Sequence, residues 1–202
     1  RHRRSAGMGR KVPWRALWTH RGASRRYALS PEAVAERVAR ESYGRLLALL
    51  AARTRDVAAA EDALAEAFAA ALSAWPRGAV PDNPEAWLFA AAKRKLIDAA
   101  RREKTAHERE RQIVLGIEEL EAEMTATDTP DRRLGLMFAC AHPTIDGSAR
   151  TALMLQVVLG FSAERIASAF LLEPAAMSQR LVRAKKRIRD GGVRFEVPAP
   201  RE

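Results

Sequence analysis

The densest group of charged side chains in the sequence lies at Arg180–Arg189, where six of ten residues are Lys or Arg. Apolar residues recur through the same stretch at the three- and four-residue spacing of a helix, at Met177, Leu181, Ala184 and Ile188. This pattern predicts a helix with one narrow buried face and a row of outward-facing cations. Such cations bind phosphates, and Gln or Arg can pair with purine edges in the major groove. The stretch therefore points to nucleic acid.

A second group that could do chemistry is the pair Cys140 and His142. A thiolate nucleophile needs a base within reach, and a zinc site needs three or four protein ligands. The chain has one cysteine, and the other histidines, His2, His20 and His107, are distant in sequence. We therefore interpret Cys140 as a buried small side chain and His142 as part of a helix end. No other catalytic pattern is found, so the sequence predicts a non-enzyme without metal or cofactor.

The residues before the basic helix predict a helix-turn-helix. Ser162 is a suitable N-cap for a helix over 162–171, and Pro174 suits the first position of the basic helix over 174–189. The three residues 171–173 form the turn. A recognition helix held in this way enters the major groove. The alternative to DNA binding is that the basic helix is an ordinary helix of a bundle and that its cationic side chains face solvent.

Two sets of side chains on the basic helix have different expected roles. We expect base contacts from Ser178, Gln179, Arg180, Arg183 and Lys186. We expect phosphate contacts from the flanking Lys185, Lys186, Arg187 and Arg189.

The first half of the chain predicts three more helices. One starts at the Ser30 cap and runs to about residue 53, and a second covers about 57–75. The second helix has an apolar stripe and a separate acidic face; the stripe is Val57, Leu64, Phe68, Leu72 and Trp75, and the face is Glu61, Asp62 and Glu66. Three prolines and a glycine between positions 76 and 84 predict a loop. Asn83 then caps a third helix over 84–102, which begins apolar and ends cationic.

The distribution of charge along the chain indicates its domain organisation. The net charge is +10 over 202 residues, but residues 1–29 hold nine Lys or Arg and no acid, which leaves the rest near +1. We interpret 1–29 as a basic disordered tail, with an organellar transit peptide as the alternative. The remainder predicts a domain at 30–104, a flexible acidic linker at 105–130, a domain at 131–191 with four helices, and a tail at 192–202. The predicted fold class is all-α, with two small helical domains and no membrane span.

Three segments in this order resemble the extracytoplasmic-function sigma factors, the promoter-specificity subunits of bacterial RNA polymerase. SAERIASAFLLEPAAMSQRLVRAKKRIRD is similar to region 4, AAAEDALAEAF to regions 2.1–2.2, and NPEAWLFAAAKRKLIDAARRE to regions 2.3–2.4. RLGLMFACAHP and RFEVP narrow the resemblance to a subgroup with a C-terminal helical-repeat extension. That extension is missing here, so the chain is expected to be a truncated product or a natural short form.

The resemblance implies partners and site residues. Core RNA polymerase would contact the acidic face of Glu61, Asp62 and Glu66. The opened strand of the −10 element would be held by Asn83, Trp87, Lys93, Arg94, Lys95, Arg101 and Arg102. The −35 element would be read by Ser178, Gln179, Arg180, Arg183 and Lys186. For Trp75 and Trp87, core packing is favoured over base stacking.

The resemblance is incomplete at two positions. The family often has Gln where this chain has Ala65 and Asn where it has Arg94, which puts polymerase affinity and −10 reading in doubt. The expected function is promoter recognition and melting in the cytoplasm, with an anti-sigma factor or other regulator as a further possible partner. The alternative is a stand-alone helix-turn-helix regulator.

Overall fold

The computed structural model describes residues 29–102 and 132–198, and these residues form an all-helical fold. The first part contains α1 (Pro31–Thr54), α2 (Val57–Ala74), a 3-10 turn (Trp75–Arg77) and α3 (Pro84–Arg102). The second contains α4 (Arg133–Ala141), α5 (Gly147–Val157), α6 (Ala163–Ala169) and α7 (Pro174–Asp190). The basic tail, the acidic linker and the last four residues lie outside the described residues.

Short polar side chains fix where several helices begin. Ser30 Oγ accepts from the backbone N–H of Ala33 at 3.2 Å, as predicted for the start of α1. The Asp56 carboxylate does the same for α2, accepting from Ala59 N at 3.1 Å. Each bond satisfies an N–H group that has no partner within its helix, which typically stabilises a helix by about 1 kcal/mol.

Helices α1, α2 and α3 pack into the first helical unit. The predicted core residues Val34, Val38, Leu46, Leu49 and Leu50 are all buried.

In α2, the predicted apolar stripe is only partly buried. Val57, Leu64 and Trp75 are buried, but Leu72 is 48% exposed and Phe68 is half-buried. The prediction of burial at Leu72 was wrong. The reason is that α2 contacts α1 and α3 through small residues as well, since Ala60, Ala63, Ala67 and Ala71 are buried. These alanines turn the contact face away from Leu72.

Helices α4 to α7 form the second helical unit, in which α7 packs on α6 and α5. Met177, Leu181, Ala184 and Ile188 are buried along α7, as their spacing predicted. The chain then turns at Gly192, which has φ of 58°, and returns Val193 to the core.

The turn between α6 and α7 has an unusual backbone. Leu171 adopts the left-handed conformation with φ of 54°, and it is 93% exposed. The N–H groups of Leu171 and Leu172 donate to Ser168 O at 3.2 Å and Ala167 O at 2.9 Å. These bonds cap the last carbonyls of α6 in the Schellman pattern, where glycine is the usual residue. The predicted turn at 171–173 is therefore confirmed.

The two units pack directly against each other. Gly44 of α1 is buried against the backbone of Val158, so that a Cβ at position 44 would lie 3.1 Å from the Val158 carbonyl carbon and closer still to its oxygen. Tyr43 lies beside Gly160 in the same contact. The buried residues of both units form one continuous cluster. Sequence reasoning, which assigned two domains, did not predict this contact.

Within 29–102 and 132–198, none of the helices is both long and apolar enough to cross a bilayer.

Candidate nucleic-acid interface

The exposed face of α7 carries the side chains predicted for base contacts. Gln179, Arg183 and Lys186 are exposed, while Ser178 and Arg180 are half-buried. The Ser178 hydroxyl donates to Pro174 O at 2.9 Å within the helix. Gln179, Arg183 and Lys186 therefore have the fullest access to a groove.

Three arginines of α7 line a cleft that opens beside the start of α5. Arg180, Arg183 and Arg187 face Asp146 and Ser148 across a volume of about 190 Å³. The Asp146 carboxylate accepts from Ser148 N at 2.8 Å and from Ser148 Oγ at 2.5 Å. These two bonds, with the charges of Arg187 and Arg180, lower the pKa of Asp146. Arg180 is half-buried in this cleft, whereas Arg183 is exposed and is better placed to reach bases.

Two cations predicted for phosphate contact point elsewhere. Lys185 Nζ pairs with the Glu61 carboxylate of α2 at 2.5 Å, and also donates to Gln156 Oε1 at 3.2 Å. Arg189 lies 3.5 Å from Asp56 and 3.2 Å from Asp190. Lys185 is only 11% exposed, so the prediction that it faces phosphates is wrong in this structure, whereas Arg189 is 48% exposed and its phosphate contact stays a prediction. Their partners on α2 were not foreseen.

The loop before α3 is held at its end by a helix cap. Asn83 Oδ1 accepts from Ala86 N at 3.0 Å, which confirms the predicted cap, and the Asn83 side chain remains exposed. Trp87 is half-buried against Trp75, with ring centroids 5.6 Å apart and planes at 67°. Trp75 is buried, so its assignment to the core is confirmed.

The cationic side chains at the end of α3 are only partly exposed to solvent. Arg94 is exposed and its Nε donates to Ala90 O at 3.2 Å. Lys95 pairs with Glu66 at 2.7 Å, and Lys93 is half-buried. The side chains of Arg101 and Arg102 lie outside the described residues. The part of the predicted −10 surface that the structure describes therefore centres on Asn83, Trp87 and α3.

The predicted polymerase-binding face is divided between two environments. Asp62 and Glu66 are exposed on α2. The Glu61 side chain is only 13% exposed, because Lys185 covers it. Burial raises the pKa of Glu61 although the Lys185 ammonium opposes that rise. The expectation that Glu61 is an open surface residue was wrong for this conformation.

Sequence reasoning missed a polar contact that sets the position of α3. The Glu85 carboxylate in the first turn of α3 accepts from both Ser42 Oγ and Arg45 Nη2 of α1. Ser42 is the buried polar residue of the first unit. An acid in the first turn of a helix was visible in the sequence, but its partners, about forty positions earlier, were not.

Cys140 has the environment of a core residue. It is fully buried, and burial together with the nearby Glu61 charge raises the pKa of its thiol to about 12. A thiol with that pKa is almost entirely protonated at neutral pH, which disfavours nucleophilic chemistry. Among residues 29–102 and 132–198, no three His, Cys, Asp or Glu side chains are grouped to hold a metal ion.

This geometry defines a class of protein: an all-helical chain with an exposed cationic helix on a helix-turn-helix, suited to duplex DNA. Residues 38–106, which cover α1 from Val38 through α3, match the family model described as Sigma-70 region 2. The match shows that the first helical unit is similar to sigma-70 region 2.

The chain is also similar to an uncharacterized protein of Rhizobium meliloti (strain 1021). The two are 37% identical over 150 residues, which is 71% of this chain and 35% of that relative. The chain thus spans about a third of the length of the curated relative it matches. No solved structure matches it.

Proposed function

We propose that the protein is a sigma factor of the alternative, extracytoplasmic-function type. It binds core RNA polymerase, recognises the −35 and −10 promoter elements and supports promoter melting. The observation that supports this most directly is that one chain joins a region 2 match over residues 38–106 to a cationic helix-turn-helix helix. A simple repressor would need only the second of these.

The two helical units have separate tasks in this proposal. In the second unit, Gln179, Arg183 and Lys186 contact duplex −35 DNA from the exposed face of α7. In the first, the loop before α3 and the cations of α3 bind the opened −10 strand, since cationic grooves with nearby aromatic rings suit single strands. Asp62 and Glu66 contact basic helices of the polymerase. The assembly works in the bacterial cytoplasm, and an anti-sigma factor or other regulator is a further proposed partner.

The test of the proposal is run-off transcription with bacterial core RNA polymerase on a promoter library. We expect transcripts from a defined subset of promoters only when the protein is added. Those promoters should share sequence at two positions, near −35 and near −10. Duplex binding at a single shared element, with no transcript and no binding to core enzyme, would instead establish the stand-alone helix-turn-helix regulator.

Changing Arg183 to Ala is expected to weaken promoter-duplex binding by about 1–3 kcal/mol and to relax the sequence preference at one −35 position. The reason is that Arg183 is exposed on α7 and can pair with a guanine edge. Fluorescence anisotropy against all single-base variants of the −35 element measures both effects.

The matched control is Arg194→Ala, because Arg194 is also an exposed arginine of the second unit but lies beyond α7. It should leave the preference unchanged. An equal loss of affinity for every sequence in the Arg183 variant would assign Arg183 to a phosphate and overturn its role in base reading.

A further inference from the structure

One exposed apolar side chain lies among the polar residues on the outer face of α7. Val182 is 62% exposed, and among the described residues it is the one large, exposed apolar side chain that lies on α7. Gln179 and Lys186, at three- and four-residue spacing from it, are also exposed, as is the next residue, Arg183. Val182 therefore lies within the surface assigned to duplex contact, and neither the fold nor the contacts proposed above give it a role.

Packing within the second unit does not explain a valine at this position. The buried stripe of α7 is Met177, Leu181, Ala184 and Ile188, and Val182 lies outside it. Valine is also a poorer helix former than alanine, because its branched Cβ loses side-chain freedom against the preceding turn. An exposed β-branched side chain therefore weakens the helix without burial that offsets the loss, which favours a role in binding.

An apolar side chain on a helix in the major groove has one specific counterpart among the bases. Thymine carries a 5-methyl group there, and this is the one apolar group in the major-groove pattern of the four bases. Arg183, the residue after Val182, can pair with a guanine edge. Consecutive helix residues differ by about 1.5 Å along the axis, which is less than the ~3.4 Å between base pairs. The bases that the two side chains reach would therefore be close neighbours.

We propose that Val182 contacts the 5-methyl group of a thymine in the −35 element, beside the base that Arg183 contacts. The inference rests on the proposed promoter function and deepens it, since it assigns part of the sequence preference to an apolar contact. At that position the protein prefers thymine over deoxyuridine, which pairs with adenine in the same way but lacks the methyl group.

The test removes one methyl group at a time from a duplex that the whole chain selects from a random library, alone or together with core polymerase. Each thymine of the selected element is replaced by deoxyuridine, and binding is measured by fluorescence anisotropy. We expect one replacement to weaken wild-type binding about fourfold, the loss expected when one methyl group is no longer buried. This thymine should lie within about two base pairs of the position whose preference Arg183→Ala relaxes.

Val182→Ala should bind the thymine duplex about fourfold more weakly than wild type and should not distinguish it from the deoxyuridine duplex. Val197→Ala is the matched control, because Val197 is also an exposed valine of the second unit but lies beyond α7. It should keep the wild-type preference for thymine. Thermal unfolding followed by circular dichroism should show Val182→Ala to be at least as stable as wild type, since alanine favours the helix.

Four results would overturn the contact. One is that no deoxyuridine replacement weakens wild-type binding. A second is that Val182→Ala keeps the preference for thymine, because another side chain on the same face, such as the exposed Ala175, would then make the contact. A third is that Val182→Ala weakens binding to core polymerase but not to duplex, which would place Val182 in a polymerase contact. A fourth is that Val182→Ala is clearly less stable than wild type, which would place Val182 in the core.

The same measurements separate this contact from the proposed sigma function. If Val182→Ala abolishes the preference for thymine but the protein neither binds core polymerase nor supports transcription, the contact stands and the sigma function is wrong. If transcription depends on two promoter elements but no methyl group matters, the function stands and the contact is wrong. If the chain selects no duplex either alone or with core polymerase, both are wrong.

Discussion

Replacing Gly44 with Ala is expected to lower the free energy of unfolding by about 2 kcal/mol, although Gly to Ala inside a helix usually stabilises it. Gly44 lies within α1, where alanine would normally be favoured by up to about 1 kcal/mol. Here the added methyl group would overlap the Val158 carbonyl group. The atom it meets is backbone, which cannot move aside as a flexible side chain would. Urea denaturation followed by circular dichroism measures the change.

Gly147→Ala is the control for this prediction. Gly147 is also a helical glycine, at the start of α5, but a Cβ there would meet no atom within 4 Å. Its substitution should leave stability unchanged or slightly raised. If Gly44→Ala proves as stable as wild type, the packing of α1 on Val158 is not as close as described.

The double substitution Asp62→Arg with Glu66→Arg is expected to weaken binding to core polymerase at least tenfold. Both carboxylates are exposed on α2, and reversing them would place like charges against the proposed basic surface of the polymerase. The fold should survive, because the Glu66–Lys95 pair is solvent-exposed and such pairs contribute little to stability. Pull-down of core enzyme at moderate salt measures the binding, and promoter-duplex affinity of the second unit should be unaffected.

Two other exposed acids provide a matched charge change. Glu36→Arg with Glu41→Arg alters the charge by the same amount on α1. This control should bind core enzyme as wild type does. If both double variants bind core enzyme as tightly as wild type, Asp62 and Glu66 are ordinary solvated surface residues. If both bind more weakly than wild type, binding responds to net charge alone.

Local signals in the sequence predicted most of the fold. The N-caps Ser30, Asn83 and Ser162 and the helix-starting Pro174 marked helix starts to within a residue. Capping depends on side chains within three positions of the helix start, so these signals are contained in short stretches of sequence. The stripe of α7 was equally readable because its partners lie on one face.

The contacts that were not predicted are those between distant positions. Lys185 and Glu61 are 124 residues apart, and each alone has the pattern of an exposed charge on an amphipathic helix. The packing of α7 on α2, with Gln156 of α5 beside Lys185, removes them from water. The prediction that Leu72 is buried was wrong for a related reason, since helical spacing identifies an apolar stripe without showing which part of it the neighbouring helices cover. The helices that carry the candidate site residues were therefore predictable, but the contact between the two helical units was not.

The contact of Glu85 with Ser42 and Arg45 has a consequence for dissecting the protein into fragments. Region 2 similarity begins at residue 38, partway along α1, yet the Ser30 cap that starts this helix lies eight positions earlier. A fragment cut within α1 would lose turns that hold Ser42 and Arg45 in place, and would leave a half-buried carboxylate at the base of α3 without its donors. Expression boundaries for the first unit should therefore follow the capped helix and start before Ser30, whatever the extent of family similarity.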